Sequence, residues 1–118
     1  MLREELTTKK CLPCEGGVPV CTRDEIDRHL RALSDWQLTS DGQRIRRAWV
    51  ARDFMAAIKF FHSVAELAES EGHHPDLHLT NYRQVTIEIW THAIGGLSEN
   101  DFILAAKIDQ IPLAARAK

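Results

Sequence analysis

One long amphipathic pattern in the middle of the chain limits the folds open to it. Asp53 can cap a helix, and Phe54, Ile58, Phe61, Val64, Ala65 and Ala68 then recur at three- and four-residue steps. That period puts them on one apolar helix face. Gly72 suits the helix stop, and Pro75 shortly after prevents continuation. The segments on either side both read as hairpins. Before the helix, Trp36 to Ser40 alternates, Asp41-Gly42 gives a two-residue turn signal, and Ile45 to Val50 is the return strand. The alternation of that return strand is imperfect, so its buried face is not readable. After the helix, Leu77 and Leu79 alternate with His78, and Asn81-Tyr82 can turn the chain. Val85, Ile87 and Ile89 then share one face of a clear strand.

Two further helices flank this pair of hairpins. Thr22 and Glu25 form a capping box, and Ile26, Leu30 and Leu33 follow as the stripe of a short helix ending near Ser34. Past Gly95-Gly96, Ser98 caps a last helix with Asp101 at its third position. Phe102, Ala105, Ala106, Ile108 and Ile111 form its stripe until Pro112. The order α-β-β-α-β-β-α predicts an α+β fold, an antiparallel sheet with helices on one face.

With 118 residues, the chain can bury one core and not two. Hydrophobic residues at 44% and charged residues at 27% suit a folded soluble domain. The formal net charge is −2 with the signs interspersed, which argues against nucleic acid as a partner. No apolar run is long enough to span a bilayer. The start, MLREELTTKK, has no apolar signal core, so a cytoplasmic location is expected. Residues 1–21 read as an irregular arm, and removal of residues 1–20 should leave the fold and activity nearly unchanged. Cys11, Cys14 and Cys21 all lie in that arm. Cys11-Leu-Pro-Cys14 is half of a zinc knuckle or a redox pair out of context, so ordinary thiols are the better reading.

Histidine carries the candidate chemistry. Of six histidines, His73, His74 and His92 gather near a helix stop and just past a strand end. Imidazole is the side chain that exchanges protons near neutral pH without perturbation, so such a group suits acid–base work. Two other readings stand beside it. His73 and His74 could be plain turn residues, or the three could hold zinc, although adjacent histidines point apart, unlike a same-face i, i+4 pair. His29, His62 and His78 read as solvated surface positions. Trp36, Trp49 and Trp90 read as packing residues, with Trp90 also a candidate wall beside His92.

The run Glu69-Ser-Glu-Gly-His73-His74-Pro75, then Tyr82, His92 and Asp101, resembles the signature of pterin-4a-carbinolamine dehydratases. Trp90-Thr91-His92 and Gly96-Leu-Ser-Glu-Asn-Asp101-Phe102 are similar to the family's last strand and last helix start. The likeness covers roughly residues 22 to 113, and residues 22–118 are accordingly identified as a dehydratase-like domain. It implies a four-stranded antiparallel sheet with three helices packed on one face. It also implies a hydro-lyase that removes water from 4a-hydroxytetrahydrobiopterin to give the quinonoid dihydropterin, recycling the cofactor of aromatic amino acid hydroxylases. By the same resemblance His73 and His92 would be the acid–base pair, and His74 would hold the pterin. Glu69, Pro75, Trp90, Thr91 and Asp101 would line the substrate site. The family implies no metal or organic cofactor, a pterin as partner, and a homodimer or homotetramer. Gly72 stands where some relatives carry an acid, and Ile94 where the mammalian protein has cysteine. The competing function is an accessory protein on the same fold, in molybdopterin metabolism, Rubisco assembly or transcription-factor dimerisation.

Overall fold

A computed structural model describes residues 3–11 and 19–115. Four α-helices and four strands follow one another as α1 (Arg3–Thr8), α2 (Arg23–Ala32), β1 (Gln37–Leu38), β2 (Ile45–Val50), α3 (Phe54–Glu71), β3 (Asp76–Thr80), β4 (Gln84–Ile89) and α4 (Glu99–Ile108). A short 3-10 turn, His92–Ile94, lies between β4 and α4. The strands form one antiparallel sheet in the order β1-β2-β4-β3. The two hairpins therefore meet along β2 and β4, and α3 connects them. This is the α+β arrangement expected from the sequence, with one helix more.

The capping signals hold. Thr22 accepts the Glu25 N–H, and Glu25 returns to the Thr22 N–H at 2.8 Å. Asp53 accepts the Ala56 N–H at 2.8 Å and opens α3. Gly72, at φ +65°, ends it.

The sheet's inner face carries Ile45, Arg47 and Trp49 of β2 opposite Ile89, Ile87 and Val85 of β4. Arg47 is the reason β2 reads imperfectly. It faces inward, yet its guanidinium is paired with Asp109 at 2.6 Å and lies over Trp49 at 4.6 Å. An inward charge is tolerated when it is paired and hydrogen-bonded. Asp109 also accepts the Trp36 Nε1–H at 2.9 Å, which ties the end of α4 to the first hairpin. Trp36 and Trp49 pack edge to face, as the packing reading expects.

The first turn differs from expectation. Leu38 pairs with Ile45, and Thr39 N–H donates to the Arg44 carbonyl, so the loop holds four residues rather than two. Asp41 does not sit at the tip with positive φ. Its carboxylate accepts from Thr39 Oγ1 and Gln43 N–H, and only Gly42 takes the positive φ.

Two further readings are corrected by burial. Residues 1–21 are not an irregular arm throughout, because Arg3–Thr8 is helical and packs on α4, with Leu6 wholly buried. Only one apolar residue of α1 reaches the core, too little for a periodic signal. Cys11 is 6% exposed, and Cys14 lies outside the described residues. His62 and His78 are exposed as expected, but His29 is 7% exposed and stacks on Phe102 at 4.5 Å. No helix among the described residues is long and apolar enough to cross a membrane.

Two outcomes test this packing. Leu6→Ala is expected to lower unfolding stability by about 2–5 kcal/mol in urea titration, the range for a buried leucine. An unchanged urea midpoint would show that α1 lies outside the core. Burial holds the His29 imidazole below its ordinary range. The folded state thus resists a proton that the unfolded chain accepts, and stability should fall as pH drops through the ordinary histidine range. His29→Gln should flatten that part of the stability–pH curve. An equally steep curve would contradict the assignment.

Candidate functional site

The site is assembled where the end of α3 meets the start of α4. At Gly72 the chain closes α3 with paired backbone bonds: Gly72 N–H to the Glu69 carbonyl at 3.3 Å and His73 N–H to the Ala68 carbonyl at 3.2 Å. This Schellman closure needs a left-handed residue, which glycine supplies without a Cβ penalty. It turns His73 inward and leaves His74 outside. His73 is 5% exposed, and its Nε2 lies 2.7 Å from Asp101 Oδ1.

Asp101 is fully buried in the first turn of α4. Its Oδ2 accepts the Ser98 N–H at 2.8 Å, the helix-capping bond read from the sequence, and the Thr91 hydroxyl at 2.9 Å. Thr91 Oγ1 is also 2.9 Å from Ser98 Oγ. Since Thr91 donates to the carboxylate, Ser98 donates to Thr91. A negative charge at a helix N-terminus is favoured by the helix dipole. One carboxylate therefore caps α4, holds the end of β4 and meets an imidazole.

Thr91 places the third histidine. Its N–H donates to the Gly96 carbonyl at 2.9 Å, pinching the loop at its neck. His92 follows directly in the 3-10 turn, which Gly95 closes at φ +64°. His92 is exposed and its ring centre is 4.0 Å from that of Trp90. His74 is also exposed, with Nε2 3.1 Å from Glu69 Oε1. That pair lies in solvent, where such contacts are weak.

All eight residues singled out in the sequence fall on two adjoining segments, 69–75 and 90–92, plus the start of α4. His73, Thr91 and Asp101 form one hydrogen-bonded unit. Among them Glu69 pairs with His74, and Pro75 is half-buried at the entry to β3. Trp90 is half-buried, and its Nε1 has no hydrogen-bond partner among the described residues.

Sequence reading missed two participants. Ser98 was assigned only as a cap, though a hydroxyl beside Thr91 is available from the same spacing. Arg44, in the first hairpin, places its guanidinium 4.6 Å from the Trp90 ring and is paired with Glu88 at 3.3 Å. Nothing local in the sequence links it to Trp90, because β2 and β4 are brought together only by the sheet.

Among the described residues, no three His, Cys, Asp or Glu side chains converge in a way that could hold a metal ion. Burial, and then the charge of Glu71, push the Cys11 thiol up to about 12, so it stays protonated. That leaves it poorly suited to redox exchange, which uses the thiolate.

Comparisons with known proteins show the family of the chain. The family model described as pterin 4 alpha carbinolamine dehydratase matches residues 19–111. A relative from Arabidopsis thaliana, named pterin-4-alpha-carbinolamine dehydratase 2, mitochondrial, is 48% identical over 110 residues. The match covers 91% of this chain and 59% of that longer protein. A putative pterin-4-alpha-carbinolamine dehydratase from Azoarcus sp. (strain BH72) is 46% identical over 107 residues, 91% of each chain. Among solved structures, one described as a transcriptional coactivator/pterin dehydratase from Brucella melitensis superposes with a TM-score of 0.75 at 32% identity, covering 79% of this chain and 98% of the other. With the fold, the motif and the family model all in agreement over the same residues, this chain belongs to the pterin-4a-carbinolamine dehydratase family.

Proposed function

We propose that this chain removes water from a 4a-hydroxylated tetrahydropterin. The observation that carries the reading is the Thr91–Asp101–His73 hydrogen-bonded unit. It joins the end of β4 to the end of α3, which supports reading His73, its neighbour His74, and His92 next to Thr91 as parts of one site.

The reaction needs two proton movements. The C4a–O bond breaks as the hydroxyl takes a proton and leaves as water. The ring N5–H gives up its proton, and its electron pair closes the C4a=N5 bond of the quinonoid dihydropterin. One protonated and one neutral group must be present at the same pH, a division that two imidazoles can share. His73 and His92 take these roles in our reading. The buried Asp101 holds one nitrogen of His73 and so fixes the ring, as an orienting carboxylate does for a catalytic imidazole. His74, exposed and held loosely by Glu69, binds the pterin or its hydroxyl. Trp90, with Arg44 against its ring, supplies a wall beside His92.

A self-associating chain also belongs to this reading. The buried face of α3 is Ala56, Ala57, Phe60, Val64 and Ala68, so the stripe expected from the sequence is turned: Phe54, Ile58 and Ala65 are exposed, beside Met55 at 70%. Edge strand β3 offers further pairing. Light scattering at micromolar concentration should give a mass above 13.4 kDa, and a single species at that mass would contradict self-association.

The activity is tested by following the ultraviolet absorbance of a synthetic 4a-hydroxytetrahydropterin. Faster decay than in buffer is expected, and a rate equal to buffer would remove the dehydratase reading. His73→Ala and His92→Ala should each lower kcat by roughly a hundredfold or more, the usual scale of general acid–base catalysis. His74→Ala should raise KM more than it lowers kcat, the mark of lost uniform binding. Near wild-type kcat in both of the first two variants, assayed on both 4a epimers, would show that the roles are divided otherwise.

A further inference from the structure

Glu71 is the last residue of α3, two before His73. A carboxylate at that end opposes the helix dipole. It is also only 8% exposed. Neither fact suits a residue kept for the helix itself. Its partners come from two other parts of the chain. Cys11 N–H donates to Oε1 at 2.9 Å, and Lys107 Nζ to Oε2 at 2.8 Å. Burial works against its charge, but these two donors outweigh it and hold the carboxyl below its ordinary range.

Lys107 lies on α4, under two helical turns beyond Asp101. The end of α3 is thus tied to α4 twice, by Glu71 to Lys107 and by His73 to Asp101. The residues leading into the first of these ties add more. Lys10 Nζ donates to the Ser70 carbonyl at 2.7 Å, at the helix end where a cation is favoured. Cys11 Sγ lies 3.6 Å from the carbonyl oxygen of Asn100, the residue before Asp101. Lys9 pairs with Glu99 at 2.8 Å. Residues 9–11 therefore touch the last turn of α3, which leads into His73, and the first turn of α4, which carries Asp101.

We propose that Glu71, held by Lys107 and the Cys11 backbone, is a positioning residue that sets the distance between His73 and Asp101. The segment Lys9–Cys11 then acts as a strap beside the His73–Asp101 pair. This rests on the dehydratase reading for its kinetic test, but not for its structural one. The Glu71–Lys107 pair sets the axial register of α3 against α4. A shift there moves the imidazole relative to a carboxylate that its own capping bonds keep in place. Displacements well under a helical turn are enough to weaken a hydrogen bond at 2.7 Å. A purely stabilising ion pair would affect the fraction folded and leave the turnover of folded enzyme alone.

The experiment uses the full chain with Glu71→Gln, Lys107→Gln and Lys107→Arg, each shown to be folded by circular dichroism at the assay temperature. Glu71→Gln and Lys107→Gln should each lower kcat about tenfold or more with KM nearly unchanged, as misplacement of a catalytic group does. Lys107→Arg should recover most of the loss. In an Asp101→Asn background the same replacements should cost little further, since groups acting as one unit are not additive. Independently of activity, the ring nitrogen signals of His73 in histidine-labelled protein should shift in Glu71→Gln and Lys107→Gln. Unchanged kcat and unchanged His73 signals in either folded variant would overturn the proposal. So would losses that multiply fully in the Asp101→Asn background. If the wild type itself fails to dehydrate the pterin, the dehydratase reading falls and the His73 signals alone decide the positioning role.

Discussion

A buried carboxylate cannot stand alone, and Asp101 has none of its surface exposed. It must be matched by donors that arrive from elsewhere in the chain. Ser98 N–H comes from the helix start, Thr91 from the end of β4, and His73 from beyond the end of α3. Leaving any one of these out would strand part of a buried charge, at a cost of several kcal/mol. The requirement to satisfy Asp101 thus ties the start of α4 to the ends of β4 and α3. Two of these donors have histidines as chain neighbours, His74 next to His73 and His92 next to Thr91.

The rest of the architecture serves that meeting point. Ladder pairing of β2 with β4 sets the height at which Thr91 leaves the sheet. The length of α3 sets where Gly72 turns the chain. At the far end of α4, Asp109 accepts from Trp36 and Arg47 and anchors the helix to the first hairpin. α4 is therefore held at both ends by buried carboxylates, with an almost continuously buried apolar helix between them. The division between a buried imidazole and two exposed ones has the same origin. The closure at Gly72 points consecutive residues in different directions, so His73 goes to the carboxylate and His74 to solvent.

Much of this was legible because the signals are local. The caps at Thr22, Asp53 and Ser98 depend on residues three positions apart. The stop at Gly72 depends on a single residue without a Cβ. The alternation in β4 depends on a period of two, and it survived because one face of β4 is buried along its length. The His-His-Pro run and its distant His92 and Asp101 were recognisable as a family pattern before their contact was known. Residues whose environment depends on distant partners were misread. Arg47 obscured the pattern of β2 because its partner Asp109 lies at the other end of the chain. His29 looked like a surface histidine because Phe102, on which it stacks, is contributed by α4. The first residues looked like a loose arm because a six-residue helix with one buried leucine has no periodicity to detect.

The sequence by itself determined the order of elements, their class and the identity of the chemically capable side chains, because capping, alternation and turn formation are decided within a few residues. Tertiary structure alone decided which of those side chains meet. The 2.7 Å contact of His73 with Asp101 and the placement of Glu71 between Cys11 and Lys107 join residues far apart in the chain. The burial that makes these pairings obligatory exists only once α3, α4 and the sheet have closed over them.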